Sequence, residues 1–250
     1  MGLENIQSST QDIWIIDLIR GISSRFTFRR SGNMGSAVWS PDGTRIVYST
    51  IGKLDSDVFI KEVGGSNREQ LLLDGKGEQW ADDWSPDGRY LLFETFVDQK
   101  NLFDLRVVTM TGEKKQLAVV EGEFNQTHAS FSPDGKWIAY VSDESGKAEV
   151  YVQGFMNLQA GKYQISTAGG DMPLWSKDGN ELFYLAPGGN LMVVEVKTNP
   201  ILEAGTPQVL FKTAIMETGN TSFRNQYLPS ADGTRFSLTK SNRARRMNFR

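Results

Sequence analysis

The residues able to do chemistry are few and unevenly spread. Of 250 residues none is Cys and one, His128, is His. That removes thiolate nucleophiles, disulfides, Cys-based zinc and iron–sulfur sites, and every motif that needs two histidines. Carboxylates remain. Asp82-Asp83 sits beside Trp84, while Asp55-Ser56-Asp57 and Asp143-Glu144 fall on predicted loops or strand edges. Calcium takes about six to eight oxygens from a loop of fixed shape. None of these runs completes the D-x-D-x-D-G-x5-E pattern, so solvated surface acids are the simpler reading. Nucleophilic hydrolysis is no better served. Gly21-Ile22-Ser23-Ser24-Arg25 lacks the second glycine of G-x-S-x-G, and no alternating αβ segment follows to carry a hydrolase sheet. The pairs Gly64-Gly65, Gly169-Gly170 and Gly188-Gly189 precede no helix and read as turns rather than phosphate loops. No catalytic residue, metal site or cofactor is expected.

What must position these groups is a repeat. Trp39-Ser40-Pro41-Asp42-Gly43 returns as Trp84-Ser85-Pro86-Asp87-Gly88, Phe131-Ser132-Pro133-Asp134-Gly135 and Trp175-Ser176-Lys177-Asp178-Gly179. A decayed copy is Pro229-Ser230-Ala231-Asp232-Gly233, and the Asp-to-Asp spacings are 45, 47, 44 and 54. A period in the forties marks a repeat architecture. Pro presets φ, Asp hydrogen-bonds the backbone two residues on, and Gly accepts a positive φ, so each copy predicts a tight hairpin turn. The strand after each turn is apolar at its third and fifth residues (Ile46 and Tyr48, Leu91 and Phe93, Ile138 and Tyr140, Leu182 and Tyr184). The residues between, Val47, Leu92, Ala139 and Phe183, are apolar too, so the strand is covered on both faces.

A third strand recurs at Asp12-Ile13-Trp14-Ile15, Asp57-Val58-Phe59-Ile60, Asp104-Leu105-Arg106-Val107, Glu149-Val150-Tyr151-Val152 and Asn190-Leu191-Met192-Val193. A shorter fourth follows at Phe26–Phe28, Gln70–Leu72, Gln116–Ala118, Tyr163–Ile165 and Val209–Phe211. The unit is a four-stranded antiparallel sheet, strands A to D, and its radial repetition is an all-β propeller. Third and fourth strands come first and first and second strands come last. The simplest closure joins both ends in one composite blade, giving five blades; the alternative is a fragment of a six-bladed or larger ring. One propeller domain is expected over 12–239, with an N-terminal extension at 1–11 and a basic, disordered tail at 240–250.

The repeats resemble the TolB-like propeller family, which carries a W-S-P-D-G hairpin. Trp137-Ile138-Ala139-Tyr140-Val141-Ser142-Asp143-Glu144-Ser145-Gly146 followed by Glu149–Val152 is especially similar, as is Glu181–Ala186. Both are similar to propellers found C-terminal to bacterial Ser/Thr kinases and in related sensors. The resemblance implies a non-catalytic propeller used as a scaffold for protein or ligand binding. It brings no catalytic residue with it.

Charge narrows the partners. Lys plus Arg is 27 and Asp plus Glu is 30, a net charge of −3. Lys240, Arg243, Arg245, Arg246 and Arg250 lie in the last eleven residues with no acid, leaving 22 basic against 30 acidic residues elsewhere. An acidic body argues against nucleic acid as partner. No apolar run approaches the ~18 residues of a membrane span, and the first residues lack the basic and apolar regions of a signal peptide. The compartment is left open. A protein or peptide partner is expected on a monomer, with a small-molecule ligand as the second choice. In a propeller the D-to-A and B-to-C loops share one face and the hairpins sit on the other. The binding face is expected to include Arg29, Arg30, Asn33, Glu78, Trp80, Asp82, Glu123, Asn125, His128, Asp171, Phe223 and Arg224. Trp80 enters this set as an aromatic on a D-to-A connection, and His128 as a residue of an inner strand. Trp39, Trp84 and Trp175 are assigned to packing between blades. The competing class is a hydrolase or lactonase-like enzyme working in the central funnel, with metal dependence as one form of it.

Overall fold

The computed structural model describes residues 2–4, 12–28, 33–51, 56–65, 68–74, 77–97, 102–198, 201–213, 215, 226–230 and 232–238. Among the described residues six antiparallel sheets follow one another along the chain. The first holds β1 (Gly2–Glu4), β2 (Ile13–Asp17) and β3 (Ile22–Arg25). The second holds β4 (Asn33–Trp39), β5 (Arg45–Ile51), β6 (Val58–Glu62) and β7 (Gln70–Leu73). The third runs β8 (Gln79–Trp84), β9 (Tyr90–Val97), β10 (Leu102–Thr109) and β11 (Gln116–Val120). The fourth runs β12 (Gln126–Phe131), β13 (Trp137–Ser142), β14 (Glu149–Gly154) and β15 (Lys162–Gln164). The fifth has β16 (Asp171–Trp175), β17 (Glu181–Ala186), β18 (Asn190–Lys197) and β20 (Gln208–Lys212), with the extra strand β19 (Glu203–Ala204) on the far end of β18. The last pairs β21 (Tyr227–Pro229) with β22 (Phe236–Leu238). Sheets two to five are complete A-to-D blades.

The turns form as their residues require. Gly43, Gly88, Gly135, Gly179 and Gly233 have φ between 68° and 76°, a region that strains any residue with a Cβ. Each turn Asp accepts the N–H two residues on, at 3.0–3.1 Å, and the Ser hydroxyl. The turns also stack around the ring: a Cβ on Gly135 would lie 3.6 Å from Pro86 Cδ, and one on Gly179 3.5 Å from Pro133 Cδ.

The core is partitioned between sheets, as strands apolar on both faces demand. Ile13, Phe26, Ile46 and Tyr48 fill the first interface. Val38, Val47, Trp84 and Phe93 fill the second, and Leu92, Leu105, Phe131 and Tyr140 the third. Trp137, Val152, Trp175 and Tyr184 fill the fourth, and Phe183, Leu191 and Tyr227 the fifth. Trp84 and Trp175 thus pack between blades as expected, and half-buried Trp39 packs against the first cluster.

The acids that open the third strands have a local task. Asp12 accepts the Thr27 hydroxyl at 2.9 Å, and Thr27 Oγ1 accepts Ile13 N–H at 2.9 Å. Glu149 repeats this with the Ser166 hydroxyl, which accepts Val150 N–H at 2.8 Å; the carboxylate also takes Gly169 N–H at 2.9 Å. Each clasp ties a third strand to the segment leaving the fourth.

Three expectations change. The composite blade is not formed among the described residues: β2 pairs with β1 and β3, and β22 pairs with β21. The edge of β2 that was to receive a C-terminal strand is taken by Gly2–Glu4, from the stretch read as an N-terminal extension. The fourth strand of the first sheet is Ile22–Arg25, not Phe26–Phe28. Its tight turn closes early, with Gly21 at φ 66° donating to Asp17 O at 2.8 Å, which sets the hairpin register Trp14 to Arg25. The tail at 240–250 lies outside the described residues.

Candidate binding surface on the inner strands and their loops

The A strands of successive complete blades touch one another, β4 with β8, β8 with β12 and β12 with β16, so they form the inner wall. Each is bulged at the same level: between Met34 and Ala37, Ala81 and Asp83, Thr127 and Ser130, and Asp171 and Leu174. A bulge frees a backbone N–H from the ladder, and a buried donor must find an acceptor. Ala81 N–H finds Ser49 Oγ of the preceding blade at 2.9 Å. His128 N–H finds Glu94 Oε1 of the preceding blade at 2.5 Å. Ser49 and Glu94 both stand seven residues after their turn Asp. In the next blade that position is Val141, which accepts nothing, and Met172 N–H turns instead to its own neighbour, Asp171 Oδ1, at 2.8 Å. His128 and Met172 have φ of 50° and 52°, a conformation that costs a non-glycine residue on the order of 1 kcal/mol.

Further polar groups bridge blades along this wall. Phe131 N–H reaches Asp83 Oδ2 at 2.8 Å, and Trp84 N–H reaches Asp83 Oδ1 at 2.8 Å. Burial pushes the Asp83 carboxyl up to about 6, against the lowering effect of these two donors. The Ser130 hydroxyl donates to Pro173 O at 2.9 Å, and the Tyr227 hydroxyl to Met172 O at 2.7 Å. Burial, with the Asp171 charge, raises the Tyr227 hydroxyl well above its ordinary range and keeps it a donor. His128 Nδ1 lies 2.6 Å from Asp171 Oδ1 without the ring N–H being aligned for a hydrogen bond, and Nε2 has no hydrogen-bond partner. The imidazole is 4% exposed and the Asp171 side chain 38%. Among the described residues no three His, Asp or Glu side chains converge to hold a metal ion.

The residues expected on the binding face separate. Trp80 is a correction: it belongs to strand β8, is buried, and lies over Gly35, where a Cβ would stand 2.3 Å from its Cζ3. The missing side chain of Gly35 leaves the room that its ring fills. Asp82 is buried at the β8 bulge. Asn125 is a brace: its N–H and Nδ2 donate to Asp143 at 2.9 and 3.1 Å, and its Oδ1 accepts Phe103 N–H at 3.1 Å. That contact also shows a D-to-A loop and a B-to-C loop sharing one face. Glu78 and Glu123 are exposed there, Glu78 accepting the Trp80 indole N–H at 3.3 Å. The backbone of Asn33 opens β4 opposite Ile51. Arg29, Arg30, Phe223 and Arg224 lie outside the described residues. Sequence reasoning missed Phe124, 42% exposed between Glu123 and Asn125. An apolar residue in an otherwise polar loop was the available signal.

Comparison with known proteins places this architecture. An uncharacterized protein of Agrobacterium fabrum, Atu1656, is 28% identical over 160 residues, 59% of this chain and 53% of that protein. The oligogalacturonide lyase of Pectobacterium atrosepticum is 27% identical over 135 residues, 46% of this chain and 35% of the enzyme. The crystal structure of TolB from Acinetobacter baumannii superposes with a TM-score of 0.64 at 19% identity, covering 83% of this chain and 51% of TolB. The chain thus spans about half or less of the length of these relatives. The TolB beta propeller domain (PD40) family model matches residues 4–222, and the chain belongs to that family.

Proposed function

We propose that the chain is a non-catalytic binding module that takes a protein or peptide partner on the face formed by the D-to-A and B-to-C loops. The observation that carries this reading is the use of the inner-wall acids. Glu94, Asp83 and Asp171 each accept a backbone N–H that a bulge or blade junction would leave unpaired. A carboxylate fixed in that way is committed to the scaffold, because releasing it would leave a buried N–H unpaired. The same face turns Glu78, Glu123 and Phe124 outward. Exposed acids on two loops of this face, one of them next to an exposed ring, suit a basic, amphipathic segment.

Capture by the immobilised chain tests this, with Glu78→Gln/Glu123→Gln/Phe124→Ala as control. A partner kept by the original, lost by the folded variant and weakened by salt supports the reading. Equal retention by both removes this face.

An enzymatic reading rests on the contact of His128 with half-exposed Asp171, which could orient an imidazole base, and on the likeness to a lyase. Incubation with oligogalacturonides, followed by absorbance of unsaturated product, decides it. Turnover lost in His128→Asn would replace the binding reading. An imidazole 4% exposed speaks against such access.

A further inference from the structure

We propose that the cleft between the first two sheets is a site for a small anion, a carboxylate or phosphate group, held by Lys61 and Arg25. The cleft encloses about 350 Å³ and is walled by Ser24, Arg25 and Phe26 on one side and by Lys61, Glu62 and Gly65 on the other. Lys61 is 5% exposed. A buried ammonium normally lies against a carboxylate. Among the described residues none stands within ion-pair distance of Lys61. Its Nζ donates to the Phe26 carbonyl and lies 4.7 Å from the centre of the Phe26 ring and 5.6 Å from that of Phe28. These partners hold the amine without neutralising it. Of its three N–H donors, the carbonyl takes one.

Arg25 brings a second cation to the same cleft. Its Nε donates to Thr27 O at 2.9 Å, one terminal nitrogen meets Asp12, and the guanidinium lies 5.1 Å from the Phe28 ring centre. The other terminal nitrogen and the Ser24 hydroxyl complete a donor set for anionic oxygens. Glu62 is the one acid on the wall. Its Oε2 is folded against Gly65, where a Cβ would lie 2.6 Å away. The glycine thus gives Glu62 a place beside the loop. Burial lowers the Lys61 pKa, with the Glu69 charge opposing, and a bound anion would add to that opposing attraction.

The test uses the full chain, with inorganic phosphate and acetate as probes. Binding is followed by calorimetry, and Lys61 acylation by acetic anhydride is followed by mass spectrometry with and without probe. Saturable binding that shields Lys61 from acylation and weakens about tenfold or more in Arg25→Gln supports the site. Preference for phosphate over acetate identifies a phosphoryl ligand, and the reverse a carboxylate. Lys61→Met should abolish binding; where that variant does not fold, Arg25→Gln and the shielding of Lys61 decide. No saturable binding of either probe, or binding unchanged in Arg25→Gln, overturns the assignment.

Discussion

Replacing Glu94 by Ala should loosen the joint between the third and fourth sheets. Glu94 is 1% exposed, and its Oε1 is the acceptor for the N–H of His128, whose φ is 50°. Removing the side chain leaves that donor buried and unpaired, which costs about 1–3 kcal/mol. It also opens a small cavity, adding about 1 kcal/mol. The expected loss is about 2–4 kcal/mol, a fall in melting midpoint of about 4–16 °C for a chain of this size. Glu94→Gln keeps an acceptor oxygen and removes a buried charge, so its cost should be about 1 kcal/mol or less. Both variants lack the carboxylate, so the gap between them reports the lost acceptor together with the small cavity. Urea unfolding followed by tryptophan fluorescence and by circular dichroism measures both. Ala and Gln variants of equal stability would refute the argument, because the N–H of His128 would then not depend on this acceptor.

Other consequences follow from the same structure. Trp80→Ala should cost about 3–5 kcal/mol, as for a buried aromatic; a change under about 0.5 kcal/mol would return Trp80 to the loop surface. Gly169→Ala should destabilise strongly in thermal melts, since φ is 93° and a Cβ would lie 2.6 Å from Pro187 Cγ; Gly88→Val, at φ 74° with open space around it, should show backbone strain alone, about 1–3 kcal/mol. Asp83 has its pKa raised to about 6 from 3.8. The folded state therefore holds this proton more tightly than the unfolded chain, and the stability it adds is full below pH ~4 and lost as pH rises through ~6. Stability of Asp83→Asn measured across pH 4–6.5 should lack that decline, and an unchanged slope would show that another group titrates. Asp42 and Asp232 have the opposite sign. Their Ser and backbone donors hold them at about 2, so their contribution is present above pH ~4 and lost as pH falls through ~2.

The hairpins and the two-sided apolar strands were legible because their causes are local. A turn needs Pro, Asp and Gly within five residues, and a strand between two sheets needs an unbroken apolar run. What pairs across blades was not legible. The bulge at His128 is held by Glu94, 34 residues earlier, and the one at Met172 by Asp171 because Val141 fails as acceptor. Nothing in either local sequence announces that exchange. Asp12 and Glu149 marked strand starts, but their hydroxyl partners lie 15 and 17 residues on. Trp80 misled because the space it fills is the missing side chain of Gly35, a full repeat away. The composite blade was expected for a related reason: strand order fixed which elements lacked partners, while among the described residues β1 supplied another partner for β2.

The central claim is that the loop face binds and the inner wall holds the scaffold together. Hydrogen–deuterium exchange of the chain with its captured partner tests this directly. Slowed exchange at 121–125 and 143–148, with the turns at 40–43, 85–88 and 132–135 unchanged, is the predicted footprint. Protection confined to the turn face would contradict it.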